Sequence, residues 1–232
     1  NLTMTTDYFR VSNVVRSNIN SFGFLNTIYD LFYKIANRIL LFRVLKCMVI
    51  SVVDPNYLKS AGQYQYLFLD TETLYKFAQY PEYDLSEAFL LHAQERGDEC
   101  YAILDGNKLA SYGWYSNRPV RVIFEGGEQE EESMCLHFSD QYVYMYKGYT
   151  HTAYRGQRLH AIGMTRALEA YLRRGFKGLV SYVEANNYSS LKSVYRMGYR
   201  DFGKIHVFRI LGKYLIHNSR GCKEYGFKIE AH

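Results

Sequence analysis

The chain has 232 residues, 48% of them hydrophobic, and a formal net charge of +5 at pH 7. The length is enough for a sizeable core, either in one larger domain or in a domain with an appendage. This mildly basic balance fits a protein that binds a polyanionic ligand, and equally one that makes weak contact with nucleic acid or anionic lipid. Nucleic-acid binding is disfavoured, because the Lys and Arg residues form no stripe interleaved with aromatic residues.

The four cysteines are widely spaced and include no Cys-x-x-Cys pair: Cys47, Cys100, Cys135 and Cys222. Zinc sites and disulfide frameworks need closer spacing, and the histidines show no metal-binding pattern either. We therefore predict free thiols and no metal site. The first residues lack a basic region followed by an apolar run, so no signal peptide is expected and the chain is predicted to be cytoplasmic.

The first predicted helix begins near Phe24 and is amphipathic. Its apolar residues recur at helical spacing, and its polar side is mostly basic, with Lys34, Arg38, Arg43 and Lys46. Three partners for the apolar face stay open: the rest of the chain, a second copy in a homodimer, or a membrane surface contacted peripherally through residues 24–46. No uncharged run approaches the ~20 residues needed to cross a bilayer.

A short, β-branched strand is predicted at residues 47–53, where Asp54-Pro55 ends the pattern. With the helix before it, this strand suggests an N-terminal appendage over residues 1–60 and a main domain over residues 61–232. The main domain is predicted to open with a strand at 64–69, a helix at 71–80 capped by Thr71, and a second helix at 85–95.

A β-hairpin is predicted next, because two apolar runs at 99–104 and 109–115 flank Asp105-Gly106. The acidic segment Phe124–Glu132 follows. It is either a solvated hairpin tip or a feature that attracts a cationic amine. Two closing strands are predicted near the end of the chain, at 204–210 and 223–229.

The stretch from Tyr142 to Tyr199 contains the pattern of a βαβ unit. A strand at 142–151 leads through a turn with one glycine and two arginines into a helix at 159–174, and a second strand follows at 179–183. A short helix then ends near Gly198. The free N–H groups of a helix's first turn bind phosphate, so the sequence predicts an anion site where the first of these helices begins.

Two motifs in this stretch resemble the GNAT superfamily of Gcn5-related N-acetyltransferases: Arg155-Gly-Gln-Arg-Leu-His-Ala161 and Asn187-x-x-Ser190 with Gly198-Tyr199 downstream. The family loop is Gln/Arg-x-x-Gly-x-Gly/Ala, so Arg158 and His160 stand where glycines are usual. The resemblance implies an α+β fold with a mixed, mostly antiparallel central sheet flanked by helices. The N-terminal amphipathic helix would be an addition to that fold.

The resemblance also implies acetyl-CoA or another acyl-CoA as co-substrate, an amine-bearing acceptor, and no metal. The residues expected to bind the cofactor lie at the end of the first strand, in the turn and at the start of the last helix: Tyr149, Thr150, Arg155, Gly156, Gln157, Arg158, Leu159, His160, Ala161, Asn187 and Ser190.

Acyl transfer from a thioester to an amine needs a polarised carbonyl, a neutral amine and a proton for the leaving thiolate. A free backbone N–H on the strand segment 147–151 would hold the oxyanion. The resemblance suggests Tyr195 as general acid, although the family's tyrosine position corresponds to Val194; protonation through water is the alternative. His151, Glu184 or a carboxylate within residues 130–132 would serve as base.

The sequence therefore favours an N-acyltransferase, most simply an acetyltransferase, that transfers the acyl group directly in a ternary complex. A long-chain acyl donor or a membrane or cell-envelope acceptor on the same fold is a second reading. A non-catalytic binding module is a third, motivated by the missing glycines and the displaced tyrosine.

Overall fold

The computed structural model describes residues 23–39, 41–59, 62–122, 131–210 and 213–231. Residues 1–22 and most of the acidic segment, residues 123–130, lie outside this part of the chain. The predicted role of the acidic segment and the base predicted at Glu130 therefore lie outside the described residues. The described residues form two β-sheets with helices packed against the larger one.

The larger sheet has eight strands in the order β10-β9-β1-β8-β7-β4-β3-β2. Its only parallel pair among the described residues is β7 with β8, and every other neighbouring pair is antiparallel. The predicted α+β class with a mostly antiparallel sheet is confirmed. The strands are β1 Leu41–Ile50, β2 Tyr64–Phe68, β3 Glu99–Asp105, β4 Lys108–Ser116, β7 Tyr142–Thr150, β8 Gly178–Glu184, β9 Arg200–Ile210 and β10 Lys213–Asn218.

A smaller sheet has three strands in the order β11-β6-β5. Its strands are β5 Val120–Val122, β6 Glu131–His137 and β11 Lys228–Ala231. The helices are α1 Phe24–Ile39, α2 Thr71–Ala78, α3 Glu87–Arg96, α4 Leu159–Arg173, α5 Tyr188–Arg196 and α6 Arg220–Glu224. In the part of the chain that the structure describes, no helix is both long enough and apolar enough to cross a membrane.

The two faces of the eight-stranded sheet are covered by different elements. One core cluster joins alternate residues of β1, β7 and β8 to the small sheet, and a neighbouring cluster joins β3 and β4 to α2 and α3. The opposite face packs on α4 and α5. The sheet is thus buried on both sides, which is why β3 and β4 are nearly continuous runs of buried residues.

The strand β1 pairs with β8 on one side and with β9 on the other. It begins and ends earlier than the predicted strand at 47–53. The domain boundary proposed at residue 60 therefore falls between β1 and β2, which belong to the same sheet. The buried residues of β1 pack in the same clusters as residues of later strands and helices. Hydrophobic periodicity finds such a strand but does not reveal its partners.

Two local predictions were wrong. The side chain of Asp70, not of Thr71, caps α2 by accepting from Thr73 N at 2.8 Å. The closing strand predicted at 223–229 is the end of α6, a turn, and the start of β11, which lies in the small sheet. A run that alternates apolar and polar residues is ambiguous when it is this short.

Candidate active site

The parallel strands β7 and β8 separate partway along their length. They pair at three positions, Tyr142 with Gly178, Val143 with Leu179 and Tyr144 with Val180, and at no later residue of these two fully described strands. The hydroxyl of Ser181 donates to Met145 O at 2.9 Å, where the pairing stops. Beyond these positions the two strands diverge, which leaves a gap between β7 and β8 in the interior of the sheet.

A bulge in β7 accompanies this opening. Trp114 of β4 pairs with Lys147, whereas the next residue, Tyr115, pairs with Met145, so Tyr146 is an extra residue in the ladder. A bulge leaves a residue out of the regular pairing and re-aims the strand. The bulge therefore leaves backbone groups beside the gap that do not pair within the sheet.

A cavity of about 580 Å³ occupies the gap. Its walls come from α3, β5, β7, β8, the first turn of α4 and two turns of α5. Five of the predicted site residues line it: Tyr149, Thr150, His160, Glu184 and Ser190. The volume is that of a small-molecule site, which is concave and largely pre-formed in most proteins.

The turn before α4 lies at one end of this arrangement. Arg155, Gly156, Gln157 and Arg158 are all exposed, and the residue before the helix, Arg158, has φ +60°. No side chain of the described residues caps α4, and the first helical bond is donated by Ile162 N to Arg158 O at 3.1 Å. The N–H groups of residues 159–161 therefore precede the helical ladder and suit an anion, aided by the helix dipole.

The remaining residues of this turn have structural contacts. Gln157 accepts a hydrogen bond from the Tyr64 hydroxyl at 2.6 Å, which ties the turn to β2. Leu159 is buried against Ile103 and Ala110, and Ala161 packs against the core beneath α4. These two side chains hold the helix on the sheet, so any contact with a cofactor would come from their backbone.

His160 packs against Gly148 of β7. A Cβ at residue 148 would clash with His160 Cε1 and lie 2.9 Å from Nδ1. Burial lowers the pKa of His160 below its usual range. The imidazole is therefore neutral near pH 7 and forms part of the cavity wall.

The start of α5 is organised by Asn187. Its side chain caps the helix by accepting from Ser190 N at 2.9 Å, and Ser190 itself lines the cavity. The Asn-x-x-Ser motif thus has a local physical reason. The asparagine begins the helix, and the serine three residues later faces the site.

Tyr195 lies outside the cavity, whereas Val194 lines it. The Tyr195 hydroxyl donates to Asp201 at 2.9 Å and accepts from Lys46 Nζ at 3.0 Å, and the residue is 41% exposed. One residue turns a helix by about 100°, so the displaced tyrosine faces the surface of β1 and β9 instead of the gap. The structure gives no contact that supports its predicted role as general acid.

His151 follows β7 and also lies outside the cavity wall. Its Nδ1 accepts from Ala153 N at 3.3 Å, and its ring packs between Tyr83 and Tyr154 at centroid distances of 5.8 and 5.9 Å. The predicted base is thus a capping residue of the short 3₁₀ turn at Thr152–Tyr154.

Glu184 is a cavity-lining carboxylate that is only 2% exposed. Arg43 Nη1 lies 3.2 Å from its Oε2, and the Tyr33 hydroxyl donates to the same oxygen at 3.4 Å. The Tyr33 hydroxyl also accepts from Val44 N at 2.9 Å. Burying a carboxylate requires such partners. Both come from the N-terminal segment, and no motif in the sequence connected them with Glu184.

Sequence reasoning also missed a run of aromatic side chains in the cavity wall. Phe89, Tyr144, Tyr146 and Tyr182 all line it. The alternation of tyrosines along β7 was a usable signal, because residues two apart on a strand share a face. It was hidden by the abundance of tyrosine, with 24 in the chain.

The gap between the two parallel strands, with an uncapped helix start after the first of them, is a site that suits an anionic ligand. The model of the acetyltransferase (GNAT) family matches residues 65–199, which is more than half of the chain. The chain therefore belongs to the GNAT family. A search of curated proteins found no match.

Among solved structures, the chain is similar to a GCN5-related N-acetyltransferase-like protein from Streptococcus suis, with 12% identity and a TM-score of 0.46 over 78% of this chain and 66% of that one. A GNAT-family acetyltransferase from Colwellia psychrerythraea has 15% identity and a TM-score of 0.47 over 73% of this chain. The chain covers only 57% of the Colwellia protein. An aminoglycoside acetyltransferase from a soil metagenome, crystallised with sisomicin, has 15% identity and a TM-score of 0.41, with 59% of this chain and 88% of that chain covered.

Proposed function

We propose that the protein is an N-acetyltransferase that transfers an acetyl group directly from acetyl-CoA to a primary amine. The observation that carries this proposal is the gap between β7 and β8, which opens into a cavity of about 580 Å³ beside the uncapped start of α4. A pyrophosphate at the helix start and a pantetheine arm along β7 would bring the thioester to this gap.

The turn at Arg155–Arg158 and the N–H groups of residues 159–161 would bind the pyrophosphate. Exposed arginines next to free N–H groups form a charge-assisted site for phosphate. Along the arm, Thr150 and Ser190 supply hydroxyl groups in the cavity wall. A backbone N–H near the bulge at Tyr146 would hold the oxyanion that develops on the carbonyl.

In the reaction, the lone pair of the neutral amine attacks the thioester carbonyl, the carbon–sulfur bond breaks, and the thiolate takes up a proton. Glu184 is the candidate within the cavity for accepting the proton of the incoming ammonium, through water, while Arg43 and Tyr33 hold its carboxylate. With Val194 at the tyrosine position, protonation of the thiolate by water is the simplest route.

The first experiment is a thermal-shift measurement of the purified protein with coenzyme A, acetyl-CoA and a long-chain acyl-CoA. A ligand that binds only the native state raises the unfolding midpoint. We expect a shift with acetyl-CoA that is lost in Arg155→Glu. Arg173→Glu is the matched control, because it makes the same charge change on an exposed arginine at the far end of α4.

The comparison is made between each variant with and without ligand, so that a change in intrinsic stability cancels. An equal acetyl-CoA shift in both variants would contradict the assignment of the turn. No shift in the unmodified protein would contradict the proposed function itself.

In a second candidate function, the protein uses a long-chain acyl donor or acts on an acceptor at a membrane. Helix α1 presents exposed apolar side chains, including Leu25 at 81%, Phe32 at 63% and Phe24 at 61% exposure. Such a face suits a membrane interface, where a long-chain donor or a membrane-bound acceptor would be found. Sedimentation with anionic vesicles tests it, and Leu25→Glu with Phe32→Glu should then return the protein to the supernatant.

A further inference from the structure

Four rings form a continuous row along one wall of the cavity, which we call the aromatic wall: Phe89, Tyr146, Tyr144 and Tyr182. The centroids of Phe89 and Tyr146 lie 6.3 Å apart, those of Tyr146 and Tyr144 6.1 Å, and those of Tyr144 and Tyr182 6.0 Å. The row joins α3, β7 and β8, so it crosses the opening of the sheet.

The aromatic wall lies on the face of the sheet opposite α4. Tyr144 belongs to the core cluster that packs on the small sheet, and Tyr146 and Phe89 pack in the cluster of α2 and α3. His160 and Val194, from the cofactor side, line the same cavity from the other face. A cofactor bound at α4 therefore approaches the gap from one face, and the aromatic wall is reached from the other.

The polar end of the Tyr146 ring is engaged. The Tyr146 hydroxyl donates to Asp98 Oδ2 at 2.9 Å, and Asp98 also pairs with Arg96 at 2.9 Å. Tethered at its hydroxyl, the Tyr146 ring is held in place and offers its apolar body to the cavity. A fixed aromatic surface recognises a flat apolar ligand at low entropic cost.

Two of the cationic residues beside the wall are paired with carboxylates, Arg96 with Asp98 and Lys147 with Asp84. Among the described residues, Arg96, Arg121, Lys147 and Glu184 line the cavity. Lys147 is held beside the wall, with its Nζ 4.6 Å from the centre of the Phe89 ring and 3.1 Å from Asp84. An acceptor with one amine need place only that group at the gap, where Glu184 lines the cavity.

We propose that the acceptor is a small arylalkylamine: one primary amine on a short chain attached to an aromatic ring. The ring stacks on the aromatic wall, and the amine reaches the opening at Ser181 and Glu184. This inference rests on the proposed function and adds the chemical class of the acceptor. The cavity volume, about 580 Å³, fits a molecule of this size beside the end of a pantetheine arm.

The test is a steady-state acetyl-transfer assay with phenethylamine, cyclohexylethylamine and spermidine as acceptors. Cyclohexylethylamine has the same chain and nearly the same apolar volume but no π face. We expect kcat/KM for phenethylamine to exceed that for cyclohexylethylamine by about threefold to tenfold, the scale of an aromatic pair. Spermidine should be a poorer acceptor than either.

Variants of Tyr182 make the test specific to the wall. Tyr182→Leu should abolish the preference for phenethylamine over cyclohexylethylamine, while Tyr182→Phe should retain it. A ratio of kcat/KM values is insensitive to partial loss of folded protein, so reduced stability does not mimic the effect. Acetyl-CoA binding is measured in parallel by thermal shift.

Three outcomes would overturn the inference: equal use of phenethylamine and cyclohexylethylamine, a preference for spermidine, or an unchanged ratio in Tyr182→Leu. Each of these leaves the acetyl-CoA shift, and with it the proposed function, intact. Loss of the shift together with all transfer would instead refute the proposed function.

Discussion

The imidazole of His160 occupies the space where residue 148 would carry its side chain, and residue 148 is glycine. The two residues lie on different elements, His160 on α4 and Gly148 on β7. The large side chain of His160 fits there because Gly148 has no side chain. This relationship explains how a histidine fits at a position where the family usually has glycine.

The first prediction follows from this packing. Gly148→Ala should lower the free energy of unfolding by about 1–3 kcal/mol, the usual cost of overpacking, and His160→Ala in the same chain should restore most of it. Denaturant unfolding of the two single variants and the double variant measures the coupling. Additive effects would mean that the two residues do not interact.

The second prediction concerns the backbone at Arg158, which has φ +60°. A residue with a Cβ costs about 1–2 kcal/mol in this conformation. Arg158→Gly should therefore stabilise the protein, and Arg158→Ala should not, because alanine keeps the Cβ. Thermal unfolding of the two variants compares them, and equal midpoints would show that no strain is present.

A third prediction concerns pH. Burial lowers the pKa of His160 in the folded state, so the unfolded state binds a proton more readily. The neutral imidazole is favourable above the unfolded pKa of about 6.5, and this contribution is lost as the pH falls through and below that value. The unfolding midpoint should drop less between pH 7.5 and pH 5.5 in His160→Gln than in the unmodified protein. An identical drop would indicate that His160 is solvated.

The fourth prediction tests the support of Glu184. Arg43→Met leaves a buried carboxylate without its cationic partner, which costs about 3–5 kcal/mol for a buried pair, and less here because Arg43 is 20% exposed. Adding Glu184→Gln should recover part of the loss, because the uncompensated charge is gone. Chemical denaturation of both variants provides the comparison. A double variant less stable than Arg43→Met would contradict this account.

The fifth prediction concerns Tyr195. Its hydroxyl contacts Asp201 and Lys46 at the surface, so Tyr195→Phe should change kcat less than about twofold and stability by less than about 1 kcal/mol. A general acid contributes roughly a hundredfold or more. A fall in kcat of that size would restore the tyrosine to the role that the resemblance suggested.

Much of the stretch around the site was predictable because its signals are local. Helix α4 begins at the predicted residue, after a turn that contains Gly156, and α5 begins directly after its cap, Asn187. Turns and caps act on neighbouring residues. The partners of β1, the pairing of Arg43 with Glu184 and the aromatic wall were not predictable. Each involves residues that are distant in the sequence. The periodicity of one segment does not show which other segment it will contact.

The same distinction explains the misplaced tyrosine. A motif that is aligned with an error of one residue still predicts the correct helix. It predicts the wrong face of that helix, because each residue turns the helix by about 100°. Val194 lines the cavity, whereas Tyr195, one position later, is exposed at the surface of the protein.

The position of β1 between β8 and β9 has a consequence for biosynthesis. Residues 41–50 leave the ribosome well before their two partner strands, which are at 178–184 and 200–210. At 5–20 residues per second, this strand would wait roughly 7–27 s before its first neighbour, β8, exists to pair with it. During that interval a chaperone or the growing chain itself must shield an apolar segment, so we expect folding of the nascent chain to depend on chaperones.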